Sequence, residues 1–170
     1  MGVIDENITV VDYNPGWPRL FKAEESKIKA AINDCDIWIE HIGSTAVTGL
    51  IAKPVIDIQL GISDWIFLVK VKSILLNLEY EYFGEAGIPG RHYFRKRVSG
   101  AFNVHVMLWE GTLWTNNILI REHLKNNKAI ADEYGKLKLL AIEKGFNTLL
   151  AYSDHKSSFI SELLDKAKSI

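Results

Sequence analysis

Cysteine is nearly absent from the sequence, and a hydrophobic run long enough to cross a membrane is missing altogether. The single cysteine among the 170 residues is Cys35, which excludes an internal disulfide and a zinc site built from thiolates. No apolar run approaches the roughly 20 residues that a helix needs to span a bilayer. The N-terminal segment carries acids early and lacks the basic stretch of a signal peptide. We therefore predict a cytoplasmic protein with no membrane partner.

A surplus of either charge is also missing. The 20 basic and 21 acidic side chains give a net charge of −1, whereas proteins that bind long nucleic acids concentrate positive charge to displace counterions. Extended nucleic acid is therefore excluded as the main partner, but a small anion held by a local cluster of cations is not. The chain has no repeat or low-complexity segment, and its length is that of one domain, which we place at residues 1–170.

Hydrophobic periodicity predicts helices at both ends of the chain and strands between them. A helix is indicated from residue 17 to about 33, and another, with Ser63 as its N-cap, to about 78. Strands are predicted at 36–42, 54–60, 80–83, 91–98 and 101–109, and helices at about 114–126, 128–144 and 148–168. This order predicts an α/β (α+β) fold, with a sheet core over about 1–110 and C-terminal helices over about 113–168.

Two polar side chains share one face of the strand predicted at 54–60. Because side chains alternate along a strand, Asp57 and Gln59 lie on the same face, and the opposite face is wholly apolar. Before this strand, Gly43 and Ser44 form a turn into a short helix, where backbone N–H groups and a hydroxyl can bind phosphate. The pair indicates a ligand site on the sheet, although a strand with one solvated face explains it equally well.

The spacing of these residues resembles the signature of the nucleotidyltransferase superfamily. In that signature a Gly-Ser turn precedes a strand with two acids, which hold divalent metals against a nucleoside triphosphate. Gly43, Ser44 and Asp57 match it, whereas Gln59 stands where the second acid is expected. The segment HIGSTAVTGLIAKPVIDI at 41–58 resembles, more specifically, the GrpB-like family, which has related domains fused to dephospho-coenzyme A kinases.

Further segments extend this resemblance over nearly the whole chain: VVDYNPGWPRLF, GIPGRHYF, NVHVMLWEG, IREHL and DHKSSFI. The resemblance implies a nucleotidyltransferase-like mixed sheet with flanking helices and a C-terminal helical segment. It leaves the family's reaction undefined.

The resemblance also places a histidine, His105, where the superfamily usually has a third acid. It thereby implies that Asp57 and His105 are the catalytic residues and the metal ligands. Together with Gln59 they offer Mg²⁺ few oxygen ligands, and imidazole suits transition metals better. We expect at most one weakly held divalent cation, Mg²⁺ or Mn²⁺ ahead of Zn²⁺. A hydrogen-bonded structural histidine explains His105 equally well.

Cationic side chains at unusual positions indicate an anion site. Arg91 and Arg95 share one face of a predicted strand, and guanidinium groups can bind phosphate oxygens in pairs. Arg121, Lys138 and Lys156 fall at or beside apolar helix stripes; Arg91, Arg121 and Lys156 also match family motif positions, and Lys138 does so less clearly. Charged protection of an edge strand and lysines with buried stems and solvated amines are the alternatives without a ligand.

Two functions fit these residues. The first is a protein that binds a nucleotide or another small phosphorylated metabolite through Gly43, Ser44, Gln59 and the cations, beside a degenerate metal site. The second is an active metal-dependent nucleotidyl or phosphoryl transferase, in which Asp57 binds the cation and His105 is a ligand or general base. Two-metal transfer needs the acid pair, so the missing acid favours binding. The oligomeric state stays open.

Overall fold

The computed structural model describes residues 3–169, and over this range five strands form one mixed sheet with helices on both faces. In chain order the elements are α1 (Trp17–Ala31), β1 (Ile37–Ile42), β2 (Ile56–Ile62), α2 (Leu68–Asn77), β3 (Glu81–Tyr82), β4 (His92–Lys96), β5 (Phe102–Leu108), α3 (Thr112–Asn126), α4 (Lys128–Glu143) and α5 (Leu149–Lys168). Single turns of 3-10 helix at Ser44–Ala46 and Trp65–Phe67 precede β2 and α2. The predicted α/β class and C-terminal helical segment are confirmed.

The strand order of the sheet is β1-β2-β5-β4-β3. The central strands β2 and β5 are parallel, and the other neighbouring strands are antiparallel. The parallel register sets Asp57 beside Asn103 and Gln59 beside His105. Because paired residues in neighbouring strands point to the same side of a sheet, these four polar side chains lie together on one face.

The opposite face of the sheet is apolar and forms the main core. Side chains such as Ile58 and Leu60 of β2 and Val104 of β5 pack there against Phe21 and Ile28 of α1 and against α2. A second, smaller core joins the segment between β1 and β2 to the C-terminal helices. Its buried members are Val47, Leu50, Leu124, Ala131, Tyr134 and Leu163. The C-terminal helices lie across a cavity from Asp57 and His105, and Gln59 and Asn103 are buried, so the alternative of a freely solvated face is not what the structure has.

The observed ends of some elements differ from the predicted ones for local reasons. The strand predicted from residue 54 begins at Ile56, because the backbone first makes a tight turn in which the Val55 N–H donates to the Lys53 carbonyl at 2.8 Å. The helix predicted after Ser63 is preceded by a 3-10 turn. The residue that caps this turn is Asp64, whose Oδ1 accepts from the Ile66 N–H at 2.9 Å.

A buried ion pair joins α1 to the sheet. Lys96 Nζ donates to Glu24 Oε1 at 2.5 Å, and the Tyr80 hydroxyl donates to the same oxygen at 2.9 Å. The side chains of Lys96 and Glu24 are only 2% and 3% exposed. Neither charge reaches water, so each depends on the other and on the tyrosine.

The N-terminal segment ties the sheet to the C-terminal helices. The Ile8 N–H donates to the Asn147 carbonyl at 2.9 Å, the Leu149 N–H donates to the Glu6 carbonyl at 2.7 Å, and Val11 forms a bridge with Ala52. Within residues 3–169, none of the helices combines the length and the hydropathy needed to cross a membrane.

Candidate functional site

Asp57 of β2 stands at the centre of the polar face. Its Oδ1 accepts hydrogen bonds from Asn103 Nδ2 at 2.9 Å and from His105 Nε2 at 3.2 Å, both on the neighbouring strand β5. The turn that follows β1 closes over the other oxygen. Gly43 has φ 75°, and a Cβ on it would lie 2.9 Å from Asp57 Oδ2, so both the backbone conformation and the close approach require glycine at this position.

The protonation states at this centre follow from burial and from the surrounding charges. Burial raises the pKa of Asp57, but the hydrogen bond from His105 and the positive charge of Lys53 outweigh that effect and hold the pKa well below its ordinary value. Burial lowers the pKa of His105 against the opposing effect of Asp57, and Arg91 and Lys53 lower it further. The pair is therefore a carboxylate and a neutral imidazole, which donates its Nε2–H to Asp57.

A cavity of about 290 Å³ lies between this centre and the C-terminal helices. Seven of the nine predicted site residues line it: Gly43, Ser44, Asp57, Arg91, His105, Arg121 and Lys156. They come from turns, strands and helices spread over most of the chain, and the tertiary fold brings them to one surface. Much of the remaining lining is aliphatic: Ile42, Ile88, Met107, Leu113, Ile120, Leu124 and Ile160.

The other two predicted site residues do not line the cavity. Gln59 is fully buried; its Nε2 donates to the Trp114 carbonyl at 3.3 Å, and its Oε1 accepts from Asn117 Nδ2 at 3.0 Å. Arg95 is turned toward the N-terminal segment, where its Nη2 donates to the Ile4 carbonyl at 2.6 Å. Helix α3 and the N-terminal segment thus use the polar groups that strand alternation assigned to a ligand.

The cations on the cavity wall differ in how far their charge is already neutralised. Arg121 Nη1 lies 2.6 Å from Glu40 Oε2 and its Nε lies 2.9 Å from Glu122 Oε1, so its charge is paired. Arg91 donates only to the backbone carbonyls of residues 85 and 86, and its buried Nε has no partner. Lys156 lies 4.7 Å from the centre of the Tyr152 ring. Among residues 3–169, neither Arg91 nor Lys156 has an ion-pair partner.

Two further lysines lie beside the site: Lys138, which the sequence analysis noted among the helix cations with the weaker family match, and Lys53, which it did not single out. Lys138 of α4 is 1% exposed, and it donates to Ser44 Oγ and, at 2.9 Å, to the Ile51 carbonyl. Lys53 lies close enough to Asp57 to lower that carboxyl's pKa. Two features of the sequence point to these lysines. Lys138 lies on an otherwise apolar helix stripe, and Lys53 directly precedes Pro54 in the segment that resembles the family most specifically.

The side chains present fit a divalent cation poorly. Within residues 3–169 no group of three His, Cys, Asp or Glu side chains is placed to hold a metal. Asp57 is a single carboxylate, and its Oδ1 already accepts two hydrogen bonds. Lys53 and Lys156 lie near enough to interact with the charge of Asp57. Hard cations require several oxygen ligands with negative charge, which this set does not supply. The metal-ligand roles of Asp57 and His105 remain predictions.

The fold and the cavity together define a class: an α/β protein whose mixed sheet carries a cation-rich cavity beneath C-terminal helices. The family model described as GrpB protein matches residues 7–166. The chain therefore belongs to the GrpB family, and the resemblance seen in its sequence motifs is confirmed.

Similar proteins agree with this assignment over most of their length. The chain is 29% identical to the glutamate-rich protein GrpB of Alkalihalophilus pseudofirmus, covering 98% of this chain and 99% of that protein. It is 31% identical to a UPF0157 protein of Halalkalibacterium halodurans, covering 96% and 84% of the two chains. The crystal structure of GrpB from Enterococcus faecalis has a TM-score of 0.84 at 30% identity and covers 94% of this chain and 96% of that one.

A weaker likeness is to Cid1 in complex with the UTP analogue UMPNPP, with a TM-score of 0.47 and 13% identity over 76% of this chain and 44% of that one. A likeness of this size carries no argument about the fold or the ligand.

Proposed function

We propose that the protein binds a small phosphorylated molecule, a nucleotide or another phosphometabolite, in the 290 Å³ cavity. One observation carries this proposal: Arg91 and Lys156 face the cavity without an ion-pair partner among residues 3–169. Both residues are half-buried, and partial removal of a cation from water without a counter-ion is unfavourable. A bound anion would compensate both charges, and phosphate accepts the hydrogen bonds that guanidinium and ammonium groups donate.

Binding without a metal is the form of this function that the side chains support. The single carboxylate, Asp57, is held by Asn103 and His105 and packs against the Gly43 turn. Asp57 lies on the strand side of the cavity, and no other Asp or Glu of residues 3–169 lines this cavity. The cations on the wall supply the positive charge that a metal ion would otherwise bring to a phosphate.

A second candidate is a transferase, and the Asp57–His105 pair is the observation that favours it. The neutral imidazole donates its Nε2–H to the carboxylate, so Nδ1 is left as a proton acceptor. A histidine held in this way beside a bound substrate has the arrangement of a general base.

Calorimetric titration with inorganic phosphate, pyrophosphate, ATP and UTP in the presence of EDTA tests the proposal. We expect saturable binding of at least one of these probes, and an Arg91→Gln variant is expected to bind it about 10- to 100-fold more weakly, as for the loss of a charge-assisted hydrogen bond. Arg19→Gln is the matched control, because Arg19 is exposed on α1, on the other side of the sheet.

The two candidate functions give different results. If no probe binds without a metal, and Mg²⁺ restores binding together with turnover that His105→Ala abolishes, the protein is a transferase. If none of the probes binds under either condition, the phosphate-binding proposal is wrong.

A further inference from the structure

A second, smaller cavity of about 90 Å³ adjoins the first. The two share part of their walls, namely Gly43, Ser44, Asp57, Tyr134 and Lys156. The smaller one is closed on its other side by Lys53, Lys138 and Tyr152, together with the backbone between β1 and β2. A molecule in the large cavity could therefore extend one end into the small one, beneath the Ser44 turn.

Three lysines from three different elements meet in this small cavity. Lys53 precedes β2, Lys138 lies on α4 and Lys156 lies on α5. Asp57 is the only carboxylate on the wall, and none of the three amines has an ion-pair partner among residues 3–169. When they are protonated, the three amines outnumber the single carboxylate, so the wall of this cavity favours an anionic ligand.

Of the three lysines, Lys138 is the most deeply buried, and it gives the strongest indication of an anionic ligand. Its side chain is 1% exposed, and its amine contacts the Ser44 hydroxyl, the Ile51 carbonyl and, at 4.2 Å, the centre of the Tyr134 ring. An apolar residue at such a position would stabilise the fold at least as well as a buried amine without a counter-ion. The amine is explained when an anion occupies the cavity.

We propose that Lys53, Lys138 and Lys156 bind the phosphate group of a phosphate monoester, with Arg91 near the shared wall as a further donor to the ester's oxygens, and that the aliphatic wall of the larger cavity binds its largely apolar body. This inference rests on the proposed function and narrows its ligand class. The smaller cavity, about 90 Å³ against about 290 Å³ for the larger one, suits the phosphate group, and the larger one suits the body of the ester. The seven aliphatic side chains of the larger cavity match an apolar group.

Proton uptake should accompany binding to this site. Burial lowers the pKa of Lys53 to about 8, and burial with the charges of Lys156 and Lys53 lowers the pKa of Lys138 well below its ordinary value. Asp57 raises the pKa of each of the three lysines, while Arg97 lowers and Glu6 raises that of Lys53 from outside the cavity. The phenols of Tyr134 and Tyr152, whose pKa values burial raises, stay neutral. A bound dianion raises the lysine pKa values, so the protein takes up protons at pH 8.

The test is calorimetric titration at pH 8 in EDTA, in two buffers of different ionisation enthalpy. The probes are inorganic phosphate, hexyl phosphate, AMP and ATP, with 1-hexanol as the uncharged control. We expect hexyl phosphate to bind at least about tenfold more tightly than inorganic phosphate, because its methylene groups leave water. ATP should bind more weakly than hexyl phosphate, hexanol should not bind measurably, and the heats in the two buffers should differ by the proton uptake.

Lys138→Met and Lys156→Met are each expected to weaken phosphate and hexyl phosphate binding about 10- to 100-fold. Lys136→Met and Lys166→Met are the matched controls, since both lysines are exposed on the same two helices, α4 and α5. The thermal midpoint of each unliganded variant shows whether it is folded.

The outcomes separate this inference from the proposed function. If ATP or AMP binds and Arg91→Gln weakens it while the two lysine variants bind normally, the lysine site is wrong and the proposed function stands. Tighter binding of ATP than of hexyl phosphate overturns the monoester class. If no phosphorylated probe binds, both proposals fail.

Discussion

Glutamate in place of Gln59 is expected to lower the free energy of unfolding by about 3–4 kcal/mol at pH 7 and to change it little near pH 4. Gln59 is fully buried, and its amide both donates to the Trp114 carbonyl and accepts from Asn117. A protonated glutamic acid of the same shape can still donate and accept in this way. A carboxylate cannot donate, and it would bring an unpaired charge into a site closed to water.

The pH dependence follows from linkage. Burial raises the pKa of such a glutamate in the folded state above the roughly 4.3 of the unfolded chain. Below that unfolded pKa both states are protonated and the substitution has little effect. Above it the unfolded chain loses a proton that the folded protein keeps, so stability falls by about 1.4 kcal/mol per pH unit until the folded-state pKa is reached.

Urea denaturation of the native protein, Gln59→Glu and Gln59→Met between pH 4 and pH 8 measures this effect. The methionine variant is the control, because it removes the same two hydrogen bonds without adding a titratable group, and its loss of stability should not depend on pH. Destabilisation of Gln59→Glu that is equal at pH 4 and pH 7 would contradict the burial of this side chain.

The same variant tests the expectation, taken from the resemblance to the nucleotidyltransferase signature, that an acid would stand at this position. If Gln59 replaced a metal ligand in a site that is otherwise intact, Gln59→Glu should be stabilised by millimolar Mg²⁺ or Mn²⁺. The geometry predicts no such stabilisation, because the side chain at this position points into the contact with α3 and away from the cavity. A rise of several degrees in the thermal midpoint with Mg²⁺ would favour the transferase.

Methionine in place of Lys96 is expected to lower the free energy of unfolding by about 3–5 kcal/mol, the effect of removing one partner from a buried ion pair. The remaining carboxylate, Glu24, is 3% exposed and would keep only the hydrogen bond from Tyr80 and a 3.7 Å contact with Lys27. Chemical denaturation at pH 7 measures the loss.

Lys27→Met is the matched control for this prediction. Lys27 pairs with the same Glu24, but its side chain is 55% exposed, so its removal should change stability by about 0–1 kcal/mol. The double variant Glu24→Leu with Lys96→Met, which leaves no buried charge behind, should recover most of the loss. A single Lys96→Met variant as stable as Lys27→Met would show that Glu24 is not buried in solution.

Much of the candidate site could be predicted because its signals are local. The Gly43-Ser44 turn, the alternation that isolates Asp57 on one strand face, and the position of His105 can all be seen in short segments. The register of β2 and β5 then brings these segments together. Their convergence on one cavity agrees with the predicted site, while their roles toward a ligand remain proposals.

Gln59 and Arg95, the two predicted site residues that do not line the cavity, were misplaced for the same physical reason. Strand alternation put Gln59 on the face of Asp57 and Arg95 on the face of Arg91, but it carries no information about what covers those faces. Helix α3 forms hydrogen bonds with both the NH₂ group and the carbonyl oxygen of the Gln59 side chain. The N-terminal segment accepts a hydrogen bond from the guanidinium of Arg95. These contacts join residues more than 50 positions apart in the chain.

Periodicity and turn chemistry by themselves determined the fold class, the order of most elements and the residues on the sheet surface, and the resemblance of several segments indicated the family. These properties depend on neighbours within a few residues, where side-chain direction follows from backbone geometry. The tertiary structure alone decided which polar groups are satisfied by the protein and which are left for a ligand. Lys53 and Lys138 face the small cavity without an ion-pair partner among residues 3–169, whereas Arg121 is already paired. Burial and pairing depend on the packing of distant helices against the sheet, and no local pattern in the sequence encodes that packing.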